Sequence, residues 1–152
     1  MASLHYAIDI NAPKEKVWHA MLDPETYKQW TDVFHPGSYY DGSWKKGSRV
    51  RFVSEKDNGQ SGILGEIVEH VPYEYTSIEM VGEIVDGEIE NTSDSAKSWI
   101  GSRESYRFTQ KDGVTTVQVE LVGDGIDPEI QEMFEGMWPP GLAKLKEIAE
   151  LS

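Results

Sequence analysis

Two dipeptides constrain this chain more than any other feature. Asn58-Gly59 and Asp112-Gly113 each lie between segments in which apolar and polar residues alternate. Such dipeptides are favoured where both central residues of a two-residue turn need positive φ. They predict two antiparallel hairpins, the first joining roughly 48–55 to 60–70 and the second 99–110 to 114–122. A further strand is expected near 74–81, after the Val71-Pro72 turn, and a short one at 37–42. Leu4-His5-Tyr6-Ala7-Ile8-Asp9-Ile10 alternates in the same way and opens the chain as a half-buried strand.

Helical patterns flank these strands. Asn11-Ala12-Pro13 ends the first strand, and Pro13 suits the first turn of a helix, where its missing N–H is not needed. Val17, Trp18, Met21 and Leu22 then form an apolar stripe over 14–22. Asp23-Pro24 repeats the device, with Asp23 as a cap for a second short helix running to about Trp30. The closing stretch, MFEGMWPPGLAKLKEIAELS, looks helical but carries Pro139 and Pro140 near its middle. An interior proline costs ~3 kcal/mol, yet Ile130, Met133, Phe134 and Met137 before the pair stay nearly in phase with Leu142, Leu145, Ile148 and Ala149 after it. Either one long helix kinks at Trp138-Pro139-Pro140, or the prolines begin a separate last helix. Both readings turn the Met and Trp side chains toward the sheet. Residues 82–98 are acidic and polar with weak periodicity, and are expected to be an extended loop or poorly ordered flap.

Composition excludes several functions. A chain of 152 residues is read as a single domain; one this size buries about 70% of its unfolded surface without a metal or disulfide staple. It has no cysteine, which removes disulfides and thiolate chemistry and fits a cytoplasmic protein. The N-terminus carries no signal-peptide pattern, and no window approaches 18 apolar residues. With 14 basic against 27 acidic residues and no basic block, neither nucleic acid nor an anionic membrane is an expected partner. No nucleophile elbow, zinc-protease motif, phosphate loop or dinucleotide fingerprint occurs, so no cofactor or metal is expected. By alternation His5 points away from the core, and His19 lies off the apolar stripe of its helix. His35, just after the second helix, is the histidine nearest an expected pocket mouth, although an exposed loop position is the better explanation of it. Asn91-Thr92-Ser93 matches a glycosylation sequon and is read as chance.

Ala12-Pro13-Lys14-Glu15-Lys16-Val17-Trp18-His19-Ala20, followed by Leu22-Asp23-Pro24-Glu25 and Trp30, resembles the opening of the SRPBCC, or START-like, superfamily. The resemblance is to the branch named for activators of the heat-shock chaperone ATPase. Gly47-x-Arg49-x-Arg51-Phe52, Gly65-Glu66-Ile67 leading to Pro72, Tyr106-x-Phe108 leading to Asp112-Gly113-x-Thr115-x-Val117, and Trp138 leading to Gly141-Leu142-x-x-Leu145 follow in the family's order. The resemblance spans nearly the whole chain. It implies an α+β helix-grip fold, in which a curved antiparallel sheet wraps around a long C-terminal helix and leaves a cavity between them. It also implies that Trp30, Phe34, Tyr39, Phe52, Met80, Tyr106, Met133, Met137 and Trp138 converge on that cavity.

Strand parity adds one polar residue. Val50 and Phe52, Ile78 and Met80, Tyr106 and Phe108, and Val117, Val119 and Leu121 share one face. The alternation that sends Tyr106 and Phe108 inward also sends Glu104 inward and turns Arg103 and Arg107 out. An inward carboxyl without a cation has a raised pKa and becomes a candidate for anchoring or proton transfer. A bulge that turns Glu104 to solvent, or an arginine that neutralises it, is the structural alternative. Three functions then stand in order. The first is a carrier or sensor binding an apolar or aromatic small molecule. The second is an aromatase/cyclase-like or hydrolytic enzyme using the same cavity, and the third is a chaperone partner, implied by the branch name alone. The oligomeric state and the ligand are not readable from these residues.

Overall fold

The computed structural model describes residues 2–33, 36–56 and 59–151. Phe34, His35 and the first residue of the Asn58-Gly59 turn lie outside them. The elements, in order, are β1 (Ala2–Ile10), α1 (Lys14–Leu22), α2 (Pro24–Thr31), β2 (Ser38–Gly42), β3 (Arg49–Lys56), β4 (Gly59–Val71), β5 (Tyr75–Val85), β6 (Glu88–Glu90), α3 (Asp94–Trp99), β7 (Arg103–Lys111), β8 (Val114–Gly123) and α4 (Pro128–Leu151). One antiparallel sheet holds every strand, in the order β1-β8-β7-β5-β4-β3-β2, with β6 paired to β5. Two register shifts between β4 and β5, at Leu64/Gly65 and Ile67/Glu69, bend the sheet.

The predicted parity holds. Val50, Ile78, Met80, Tyr106, Phe108, Val117, Val119 and Leu121 enter one core with Trp18 and Met21 of α1, Tyr27 and Trp30 of α2, and Trp138, Leu142 and Leu145 of α4, and Phe52 packs against it half-buried. Asp112 and Gly113 both adopt positive φ, 54° and 81°, as the β7–β8 turn requires. At Gly65 a Cβ would stand 2.5 Å from Ile78 Cγ2 and 3.1 Å from Phe52 Cε2, so a side chain there would displace both cavity neighbours.

Two expectations change. Residues 82–98 are not an extended loop. β5 runs on to Val85, Asp86-Gly87 turns with φ of 52° and 81°, β6 returns, and Ser93 caps α3 by accepting from the Ala96 N–H at 3.1 Å. The Glu90 carboxylate orders the link by accepting from the Thr92 N–H, the Thr92 hydroxyl and the Ser93 N–H, which lowers its pKa. As a result β7 begins at Arg103, because 99–102 close α3 and turn.

Asp23 does occupy the N-cap position of α2, with Pro24 at N1, but its carboxylate makes no cap bond. Instead it meets His19 Nδ1 at 3.1 Å on the surface.

Of the two readings of the proline pair the single long helix is the one found, since α4 runs unbroken through both. Pro139 and Pro140 cannot donate to the carbonyls of Glu135 and Gly136. All four residues are exposed, which leaves the freed carbonyls open to solvent, and the buried face continues through Trp138, Leu142, Leu145 and Ala149.

Candidate functional site

A cavity of about 240 Å³ lies between α2, the inner face of the sheet and the N-terminal half of α4. An engineered apolar cavity of ~150 Å³ holds benzene, so this one has room for a larger aromatic molecule. Each wall is set by local structure. Tyr27 and Trp30 stand one turn apart on α2, and Trp30 is fixed by its indole N–H donating to the Met21 carbonyl at 3.0 Å. Trp138 of α4 meets Trp30 with ring centroids 5.9 Å apart and Tyr106 at 6.1 Å. Tyr27 packs edge-on against Trp30 at 5.5 Å and Tyr40 at 5.0 Å, and lies 6.3 Å from Phe52.

One carboxyl enters this aromatic enclosure. Glu104 lies on β7 between Ile78 of β5 and Leu121 of β8, both buried. Its side chain lines the cavity and accepts a hydrogen bond at Oε2 from the Tyr106 hydroxyl. The arginines flanking it point outward: Arg103 pairs with Glu79 at 3.2 Å, and Arg107 sits 4.5 Å over the Tyr75 ring. Among the described residues no cation and no bulge intervenes, so the inward reading of Glu104 holds. Burial pushes its pKa up to about 7, and the Tyr106 hydrogen bond acts in the opposite, weaker sense. Burial and the nearby Glu104 charge raise the pKa values of Tyr27 and Tyr106 in turn, which keeps both phenols protonated.

Of the residues expected to converge, Trp30, Phe52, Met80, Glu104, Tyr106, Met137 and Trp138 line the cavity. Tyr39 does not. It pairs in register with Val53 and packs with Val53, Leu64 and Ile84 in a separate cluster, where its hydroxyl meets the Gln60 amide. Its neighbour Tyr40 takes the inward position and donates to the Leu22 carbonyl. Met133 is also misplaced: it is 45% exposed, because Phe134, Met137 and Trp138 define the inner face of α4 and Met133 falls outside that arc. Phe34 lies outside the described residues. Sequence reasoning missed Tyr27 and Phe134, each three residues before a residue it did select, and the row Ser38, Ser54 and Ser61. Those serines are cross-strand partners on the parity of Phe52, so the signal for them was present. The described residues contain no cluster of metal-ligating side chains and no helix long and apolar enough to cross a membrane.

A curved antiparallel sheet gripping a long C-terminal helix, with an aromatic cavity between them, defines the helix-grip class of START-like (SRPBCC) proteins. Within it, this chain belongs to the family described as Activator of Hsp90 ATPase homolog 1-like protein, whose sequence model matches residues 11–150. Solved structures agree in fold at low identity. The Aha1 dimer of Colwellia psychrerythraea superposes with a TM-score of 0.70 at 17% identity, covering 99% of this chain and 97% of that one. Protein NE0264 of Nitrosomonas europaea gives 0.73 at 12% identity, covering 98% and 94%. Ara h 8.0201 gives 0.68 at 11% identity, covering 99% of each chain. A comparison with curated proteins found no match.

Proposed function

We propose that the cavity binds a small aromatic molecule bearing one hydrogen-bonding group, and that the protein acts as a carrier or sensor for it. The observation that carries this reading is a single carboxyl, Glu104, set into a cavity of about 240 Å³ walled by the rings of Tyr27, Trp30, Phe52, Tyr106 and Trp138. The rings supply apolar burial and stacking, worth ~0.5–1.5 kcal/mol per well-placed ring pair beyond area. The carboxyl supplies orientation. With a pKa near 7, Glu104 donates to a carbonyl when protonated and accepts from a phenol when ionised.

The test is a panel of phenols, aromatic ketones and fatty acids, followed by thermal melting and by NMR of the Met80 and Met137 methyl groups. Binding stabilises the fold by about 2.7 kcal/mol at a hundredfold excess over Kd, and the two methyl signals should shift with the aromatic compounds. A panel that leaves both Tm and the methyl signals unchanged overturns the reading. A response to fatty acids alone replaces the aromatic ligand with a lipid.

A further inference from the structure

Three titratable groups line the cavity among the described residues: Glu104, Tyr106 and Tyr27. No lysine, arginine or histidine joins them. Their hydrogen bonds differ in a way that a purely packed interior does not require. Tyr106 spends its hydroxyl on Glu104 Oε2, and neighbouring Tyr40 spends its own on the Leu22 carbonyl. The Tyr27 hydroxyl has no partner among the described residues, although its ring is buried and fixed edge-on by Trp30 and Tyr40. Among the described residues Glu104 likewise receives only the Tyr106 hydrogen bond, on Oε2, which leaves Oε1 uncommitted. Glu104 and Tyr27 come from opposite walls, β7 and α2, and lie close enough that the carboxylate charge raises the pKa of the phenol. The cavity therefore offers an uncommitted base and an uncommitted O–H donor across a space sized for an aromatic molecule.

That pairing matches what a carbonyl compound needs to enolise. We propose that the cavity catalyses proton transfer next to the carbonyl of an aromatic ketone, with Glu104 as the base and the Tyr27 hydroxyl as the donor to the carbonyl oxygen. The C–H bond adjacent to the carbonyl breaks and its proton goes to the Glu104 carboxylate. The freed electron pair forms the C=C bond, and the carbonyl π pair moves onto oxygen, where the Tyr27 O–H stabilises the developing charge. Glu104 then returns the proton to the oxygen, giving the enol, or to carbon, giving back the ketone. Atoms and electrons balance without an oxidant, reductant or cofactor. Tyr106 is a positioning residue, holding Oε2 so that Oε1 faces the substrate. Because Glu104 titrates near 7, a substantial fraction is carboxylate at neutral pH, where a general base is most effective.

This inference rests on the binding reading above, and one experiment separates them. β-Tetralone is added to the whole protein in deuterium oxide; NMR follows exchange of the protons beside its carbonyl, and the Met80 and Met137 methyl signals report binding. Bound β-tetralone should exchange at least ~100-fold faster than in buffer, within the range for general acid–base catalysis. Glu104→Gln, nearly isosteric, should lose this acceleration even at ketone concentrations that saturate its own methyl shifts. Tyr27→Phe should lower the rate at saturation by ~10²-fold or more, the cost of one oxyanion donor, with saturation read from the same methyl shifts. Binding with exchange at the buffer rate overturns the catalytic inference and leaves the carrier reading standing, as does full acceleration in Glu104→Gln. No binding of β-tetralone overturns the inference for aromatic ketones, and the wider panel then decides the carrier reading separately.

Discussion

Glu104 and Tyr106 stand two residues apart on the inner face of β7, and the tyrosine hydroxyl donates to the glutamate. The hydrogen bond stabilises the carboxylate, yet burial outweighs it and the net shift is upward. A donor of this kind offsets only part of the hydration that a carboxylate loses on entering an aromatic enclosure.

The sign of that shift sets the pH dependence of folding. The folded pKa, about 7, lies above the unfolded value near 4.5, so between them the folded state binds more protons. Stability contributed by Glu104 is fully present below about pH 4.5, falls as pH rises and levels off above about 7. Glu104→Gln should flatten this segment of the curve and raise stability at pH 8 by roughly 3 kcal/mol. Urea midpoints for both proteins from pH 4 to 8 check it, and parallel curves would contradict it.

Gly65 makes a steric prediction. Gly65→Ala places a methyl against Ile78 and Phe52 and should destabilise by about 1–3 kcal/mol through overpacking. Trimming the obstruction should help: Ile78→Ala should cost less in the Gly65→Ala background than in the parent. A double-mutant cycle by denaturation at constant m-value measures the coupling, and strict additivity would show that the sheet yields elsewhere.

The proline pair makes an energetic one. Alanine at Pro139 and Pro140 returns two N–H donors to the carbonyls of Glu135 and Gly136 on an exposed helix face. The double variant should gain about 4–5 kcal/mol, the helix-interior penalty of the two prolines less their restriction of the unfolded chain. Thermal and urea unfolding read this directly. A loss of stability would mean that the two rings hold a bend on which the buried face depends.

Parity explains why Glu104 was readable in the sequence and Tyr39 was not. Within β7 the pairing register runs unbroken from Glu104 through Phe108, so one buried aromatic fixes the facing of its neighbours even though Ser105 on the other face is also buried. β2 is five residues long with a burial pattern that barely alternates, and only its pairing of Tyr40 with Phe52 and Tyr39 with Val53 decides which tyrosine faces in. That pairing is a tertiary fact. Met133 failed through helical phase, since the proline pair invited a choice of arc that Phe134 and Trp138 settle differently. The β5–β6 turn was legible in principle, as Asp86-Gly87 is the same dipeptide class as Asp112-Gly113. Acidic neighbours hid the alternation around it, because a short strand such as β6 exposes most of its side chains.

The meeting of Trp30 and Trp138 gives the protein an optical property. Of its five tryptophans, only these two line the cavity, with centroids 5.9 Å apart and planes inclined at 37°. Two indoles at that separation couple their excited states, so their emission and their circular dichroism respond together to whatever lies beside them. An occupant that slides between these rings, or is expelled from them, announces itself in the intrinsic fluorescence of the unlabelled chain.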